Sequence, residues 1–304
     1  MNRVDFGSLI ANLRKEHEDE HNSHWSQDRL AQEANSALGA EVFYTDIISS
    51  IERGKRGLDT QTLHALSTAL QLTSGERKEF FLAASGLDNE LIARQANTPE
   101  EILSQLIERM SAAHLPAFIM DSYCDVVATN AALVELMDYD SSGLGPGTIQ
   151  TNVPFATNMM RFAFSDEAVE HLTGVMGDDW STFAYTVMMT FRTSTLRYRS
   201  TEYFQSLLRE MNRYRLFKRY WREVYFEEKD HFINGADMHL SSPKWGPVSC
   251  FFAAFTALTV ALDLHLWVAV PMFPETTDAF SRIAAHADKM YAFDTDSWPR
   301  KNLL

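Results

Sequence analysis

Residues 26 to 56 carry two short amphipathic helical patterns on either side of a polar interruption, and no other stretch constrains the fold as strongly. Ser26 offers an N-cap oxygen to a first helix on which Leu30, Ala31 and Ala34 recur on one face. Thr45 is read as the cap of a second helix that buries Ile48 and Ile51 and stops at Gly54, where a left-handed residue belongs; Lys55 and Arg56 follow. Such a pair is a helix-turn-helix. A second helix this short and polar at its front suits a DNA major groove, with its first turn against the base edges.

The flanking sequence completes a small helical bundle. Phe6, Leu9, Ile10 and Leu13 repeat at helical spacing before the pair. After it, Thr60 is read as the cap of a helix with Leu63, Leu66 and Leu70, and Ser74 starts a fifth that carries Phe80 and Phe81. The expected division is a bundle over 1–86, a linker over 87–99 and a second domain over 100–304, which Pro99 opens with a helix through Met110.

At Ser26, Gln27, Leu30, Ala31, Ile48, Ile51, Glu52, Gly54 and Lys55 the chain resembles the XRE family of helix-turn-helix regulators. The resemblance implies phosphate contacts from Gln27, Arg53, Lys55 and Arg56, and base reading from Tyr44, Thr45, Asp46 and Ser50. It also implies that Glu52 pairs with Arg14 of the first helix. Two departures stand out: the interruption Asn35 to Tyr44 is longer than the family's turn, and Asp46 favours only a cytosine amino group while repelling phosphate.

Beyond Pro116 the pattern changes. Ala117 to Met120 and Val126 to Ala128 are short apolar runs around a turn at Asp121 to Cys124, and Asn130 caps a helix. Val248 to Leu262 and Leu264 to Pro271 read as two further strands meeting near Asp263, the first too broken by polar residues to span a membrane. The expected fold is α+β, an all-α bundle followed by a PAS-like antiparallel sheet with helical insertions. The segments 116–121, 125–130 and 158–164, with Trp180, Phe191-Arg192, Phe217, Trp221 and Pro243 to Pro247, resemble the ligand-binding domain of MmyB-like transcription regulators, a subgroup of the XRE family. That family's pattern has Trp where this chain has Cys124 and Thr129.

The Phe- and Met-rich stretches 155–164 and 183–191 read either as core or as the walls of an apolar pocket. The expected ligand residues are Asn158, Met159, Arg161, Phe162, Phe164, Met188, Phe191, Arg192, Phe217 and Trp221. A fatty acid or similar amphiphile fits if Arg161, Arg192 or Asn158 anchors its head, because a buried carboxylate needs a partner. No other cofactor is implied. Residues 192–222 hold nine Lys or Arg against two Glu, interleaved with aromatics, a pattern open to three readings. They are amphipathic helices with wet arginines, a second nucleic-acid surface, or a basic face for the acidic N-terminal part.

His17, His21 and His24 are spaced for a metal, although a solvated acidic loop is the plainer reading. No Walker loop, G-x-S-x-G or H-E-x-x-H occurs, and Gly143 to Gly147 lacks the preceding strand of a nucleotide loop, so an enzyme is not expected. Cys124 lacks a flavin-adduct context, and two cysteines without a secretory leader suit the cytoplasm. The net charge is −14, and residues 1–90 hold 9 Lys and Arg against 15 Asp and Glu. Phosphate attraction therefore has to be concentrated at Arg53, Lys55 and Arg56, and a homodimer on a double-stranded operator is the expected remedy for a short reading helix. The alternative is a protein-interaction module on a helix-turn-helix fold without strong DNA affinity.

Overall fold

The computed structural model describes residues 1–19, 23–87, 98–139, 153–224, 235–242, 244–257, 263–286, 289–293 and 298. Its N-terminal helices are α1 (Arg3–Glu16), α2 (Gln27–Leu38), α3 (Thr45–Glu52), α4 (Thr60–Ala69) and α5 (Ser74–Ala84). Ser26 caps α2 as expected, accepting from the Arg29 amide at 3.0 Å. Tyr44, not Thr45, occupies the N-cap position of α3 and gives no side-chain cap. Asp59 rather than Thr60 caps α4, and Thr73 with Glu76 forms a reciprocal capping box on α5.

The interruption between α2 and α3 is shorter than its polar composition implies, because α2 continues to Leu38 and ends at Gly39 with φ +71°. Asn35 makes this compatible with a tight return: its Oδ1 accepts from the Val42 and Phe43 amides at 2.8 Å each, and its Nδ2 donates to the Phe43 carbonyl. Gly54 ends α3 with φ +66°, and a Cβ there would lie 2.8 Å from the Arg3 carbonyl oxygen. The glycine thus serves a left-handed turn and a close approach of α1 together.

The second part begins with α6 (Pro99–Ala113), capped by Thr98 and Glu101, and continues into β1 (Ala117–Asp121), β2 (Val126–Asn130) and α7 (Ala131–Leu136). Helices α8 (Met159–Phe164), α9 (Asp166–Met176), α10 (Trp180–Thr195), α11 (Glu202–Met211) and α12 (Arg215–Glu223) follow. The chain then returns through β3 (Gly235–Ser242), β4 (Gly246–Ala257), β5 (Leu264–Pro271), α13 (Pro274–Ile283) and β6 (Met290–Ala292). The six strands form one antiparallel sheet in the order β3-β4-β5-β1-β2-β6, with β1 between the first pair's β2 and the late β5. The α+β expectation holds. Of the strands, β3 and β6 escaped the sequence reading, and the expected run to Leu262 ends at Ala257, with 258–262 outside the described residues.

Two clusters of buried residues result. One joins Leu9, Ile10, Leu13, Leu30, Ile48, Leu66 and Phe80 of the bundle, and it also contains Leu196, fully buried, from the chain just after α10. The larger cluster lies among the sheet, α6 and the helices α8 to α12. Most of the expected linker, 88–97, lies outside the described residues. No helix among the described residues is long and apolar enough to cross a membrane.

Candidate functional site

An apolar cavity of about 100 Å³ lies between the sheet and the helices that follow α7. Its sheet wall includes Phe118 and Met120 of β1, Val126 and Thr129 of β2, Phe252 of β4 and Trp267 of β5. Alternation explains the set, since Phe118 pairs in register with both Thr129 and Trp267 and so shares a face with them. The helical wall includes Met159, Met160 and Phe162 of α8, and Phe183, Thr186, Val187 and Thr190 of α10. Cys124 and Thr129, the positions that depart from the family pattern, both line it.

Cys124 reaches the wall because its turn holds it at φ +61°. Asp121 Oδ1 accepts from the amides of Tyr123 and Asp125, and the Cys124 sulfur lies 3.5 Å from Ser194 Oγ on α10. Asn158 ties α8 to that turn: its Nδ2 donates to the Tyr123 carbonyl at 2.9 Å and to Asp125 at 2.7 Å, and its Oδ1 caps Met160.

Of the ten ligand residues expected from sequence, Met159 and Phe162 line the cavity. Asn158 is committed to the turn, and Arg161 sets its guanidinium 5.9 Å from the Tyr214 ring centroid. Phe164, Met188, Phe191, Phe217 and Trp221 lie in the adjoining core, the four aromatics as a nest of rings with centroids near 6 Å such as Phe191 on Phe217 and Phe217 on Trp221. Phe118, Met120 and Trp267 went unnoticed as wall residues, and Phe183 and Val187 were read only as part of the stretch 183–191 that is either core or pocket wall. Their signal was present, as period-2 spacing on β1 and i, i+4 spacing on α10.

Arg192 occupies a different site. It is 4% exposed and donates from Nε to Glu76 Oε1 at 3.0 Å and from Nη1 to the Trp221 carbonyl at 2.8 Å. Arg199, fully buried, donates to Glu76 at 2.5 Å and to Glu16 Oε2 at 2.7 Å. Both guanidiniums lie within 5.0 Å of the Trp221 ring centroid. The two arginines hold the Glu76 carboxyl down to about 2, whereas burial pushes that of Glu16 up. At the same junction Thr193 packs on Gly75, where a Cβ would meet its Oγ1 at 2.5 Å, and Arg222 pairs with Glu18. Among the readings of the basic segment, these arginines answer to the basic face for the acidic N-terminal part. Exposed Arg213 and Arg219 pair with neighbours on their own segment.

On the helix-turn-helix, Arg14 donates to Glu52 at 2.7 Å as expected, and Gln27 also donates to Glu52 at 2.7 Å. That bond engages the Gln27 side chain. Tyr44, Thr45, Asp46, Arg53, Lys55 and Arg56 are exposed, and Ser50 is half-buried. Asp28, Glu41 and Asp46 edge a shallow recess between α2 and α3, so the front of α3 is acidic and its far end basic. His17 is buried, with Nε2 3.0 Å from the Leu70 carbonyl and its ring stacked on Trp25. Burial lowers its pKa to about 4, so the neutral ring donates there. His24 is exposed, and His21 and the loop Gly143 to Gly147 lie outside the described residues.

The profile of one protein family, described as MmyB-like transcription regulator ligand binding domain, matches residues 100–283. No match to the chain was found among curated proteins.

Proposed function

The chain belongs to the family of MmyB-like transcription regulators, and from that premise we propose that it binds an operator through α2 and α3 and senses an apolar or amphiphilic molecule in the cavity. One observation carries the reading. Helix α10 lines the cavity with Phe183, Thr186, Val187 and Thr190, and two residues further on it carries Arg192 to Glu76 on α5 of the bundle. A change in the cavity that shifts α10 is felt at once by the bundle, because packed interfaces respond in discrete steps rather than by smooth deformation.

The DNA contacts in this account come from Arg53, Lys55 and Arg56 on phosphates, with Tyr44, Thr45, Asp46 and Ser50 facing bases and the Gln27 backbone amide at the start of α2 supplementing them. A homodimer on two half-sites supplies the affinity that one acidic bundle lacks. The sensor fold is PAS-like, with two strands first, helices between and further strands last. A fatty acid or related amphiphile belongs to the ligand class.

Asp28, Glu41 and Asp46 at the front of α3 favour a second reading, in which that face docks a basic partner protein. Anisotropy titration of the full chain on duplex from its own upstream region separates the two. Regulator function requires saturable, sequence-dependent binding that weakens with salt; equal, negligible binding to operator and random duplex supports the protein-interaction reading.

A further inference from the structure

Arg215, Lys218, Arg219 and Arg222 of α12 recur at i, i+3, i+4 and i+7, a spacing that gathers them on one side of the helix. Phe217 and Trp221 take the other side and are buried in the larger core. The exposed residues of α12 are Arg215, Lys218, Arg219 and Glu223. Arg219 pairs with Glu223 at 2.9 Å, with both side chains more than half exposed, and an exposed pair of this kind contributes little. Four cations thus stand against one carboxylate on this side of α12, in a chain whose net charge is −14.

The stripe is tied to the entrance of the helix-turn-helix. Arg222, at its C-terminal end, pairs with Glu18 in the chain that follows α1, and Glu18 bridges to His24, two residues before the Ser26 cap of α2. The exposed cations therefore run outward from the place where α2 begins. From Arg215 to Arg222 the helix rises about 10 Å, the span of about three phosphates on one DNA strand. A protein partner is normally held by aromatic or aliphatic anchors at the centre of its footprint, whereas this face presents charge, which suits backbone phosphates. Resting on the operator reading above, we propose that Arg215, Lys218 and Arg219 form a second DNA-backbone surface, on the sensor part, which holds phosphates adjoining those reached by α2 and α3. This surface supplies positive charge that the acidic bundle lacks, and it reads no base sequence.

An anisotropy salt series with the full chain, on a long duplex from its own upstream region and on a random duplex of equal length, tests this. The parent is compared with a neutral triple variant, Arg215→Gln with Lys218→Gln and Arg219→Gln, and with a charge-retaining one, Arg215→Lys with Lys218→Arg and Arg219→Lys. The neutral triple should bind at least about tenfold more weakly at about 50 mM salt. It should also lose about 2.7 from the slope of log K against log salt for each protomer on the DNA, from three phosphates at about 0.9 each. Affinity for the random duplex should fall by the same factor, so that the ratio of operator to random binding stays that of the parent. The charge-retaining triple should keep the parent slope, and equal melting temperatures verify that these exposed substitutions leave the fold intact. A neutral triple with the affinity and slope of the parent overturns the inference, leaves the operator reading in place and gives the stripe to an acidic protein partner. Affinity lost without a change of slope overturns it as well. A parent that binds neither duplex removes the operator reading and this proposal with it.

Discussion

His17 shows how a single buried ring sets a pH limit. Its folded-state pKa of about 4 lies below the ordinary value of 6.5, so the unfolded chain takes up the proton first. The stability of the neutral ring is therefore complete above about pH 6.5 and is lost as pH falls toward 4, in total roughly 3 kcal/mol. His17→Gln should flatten the urea-unfolding profile over that interval by about this amount; parallel profiles for variant and parent would contradict the assignment. Two glycines offer a contrast at the same scale. Gly39 and Gly54 both have positive φ, but an added Cβ meets nothing within 4 Å at Gly39 and the Arg3 carbonyl at 2.8 Å at Gly54. Gly39→Ala is expected to cost about 1 kcal/mol from the backbone alone, and Gly54→Ala clearly more, as read from denaturant midpoints.

At the scale of elements, α10 belongs to two structures at once. Its junction with the bundle is a buried set in which Arg192 of α10 and Arg199 just beyond it meet Glu76 of α5 and Glu16 of α1, and removing one partner from such a set costs about 3–5 kcal/mol. Glu76→Gln should therefore split a single calorimetric transition into two, with the bundle melting first; one unshifted transition would show that the junction does not couple the parts. The pH dependence of this junction has two opposed components. Glu76, held down to about 2, contributes stability above 4.5 that is lost below it, while Glu16, pushed up by burial, costs stability at neutral pH that is relieved on acidification. On α3, Lys55→Ala should lower the salt slope of DNA binding by about 1, and Asp46→Asn should tighten binding. The same elements show what the sequence disclosed. Caps and apolar periodicity sufficed for α2, α5, β1 and β2, because those signals are local. On α10, by contrast, the stripe Phe183, Val187, Thr190 faces the cavity and the adjacent stripe Ala184, Met188, Phe191 faces the helical core. Both are apolar in sequence, and only tertiary packing distinguishes them. Phe164 follows Phe162 by two residues, about 200° around the helix, and so turns away from the cavity. The pairing of Glu76 with Arg192 and Arg199 left no local trace, since 116 and 123 positions separate them.

For the whole molecule, a net charge of −14 works against DNA, and the structure spends cations internally as well. Arg14, Arg192, Arg199 and Arg222 neutralise carboxylates, three of them at the junction between the bundle and the rest. Of the readings the sequence leaves open for the basic segment, the contact with the acidic N-terminal part is the one that Arg192, Arg199 and Arg222 make, and it holds the two parts in one arrangement. The central claim is that the state of the cavity reaches the operator through α10, and it is tested by one anisotropy series on operator duplex with the parent chain, Val187→Phe, and Val187→Phe with Glu76→Gln. Filling the cavity with Val187→Phe should change operator affinity by at least about fivefold, the lower end of ordinary allosteric coupling, and adding Glu76→Gln should abolish the difference. Equal affinity and equal salt slope for the parent and Val187→Phe would contradict the account.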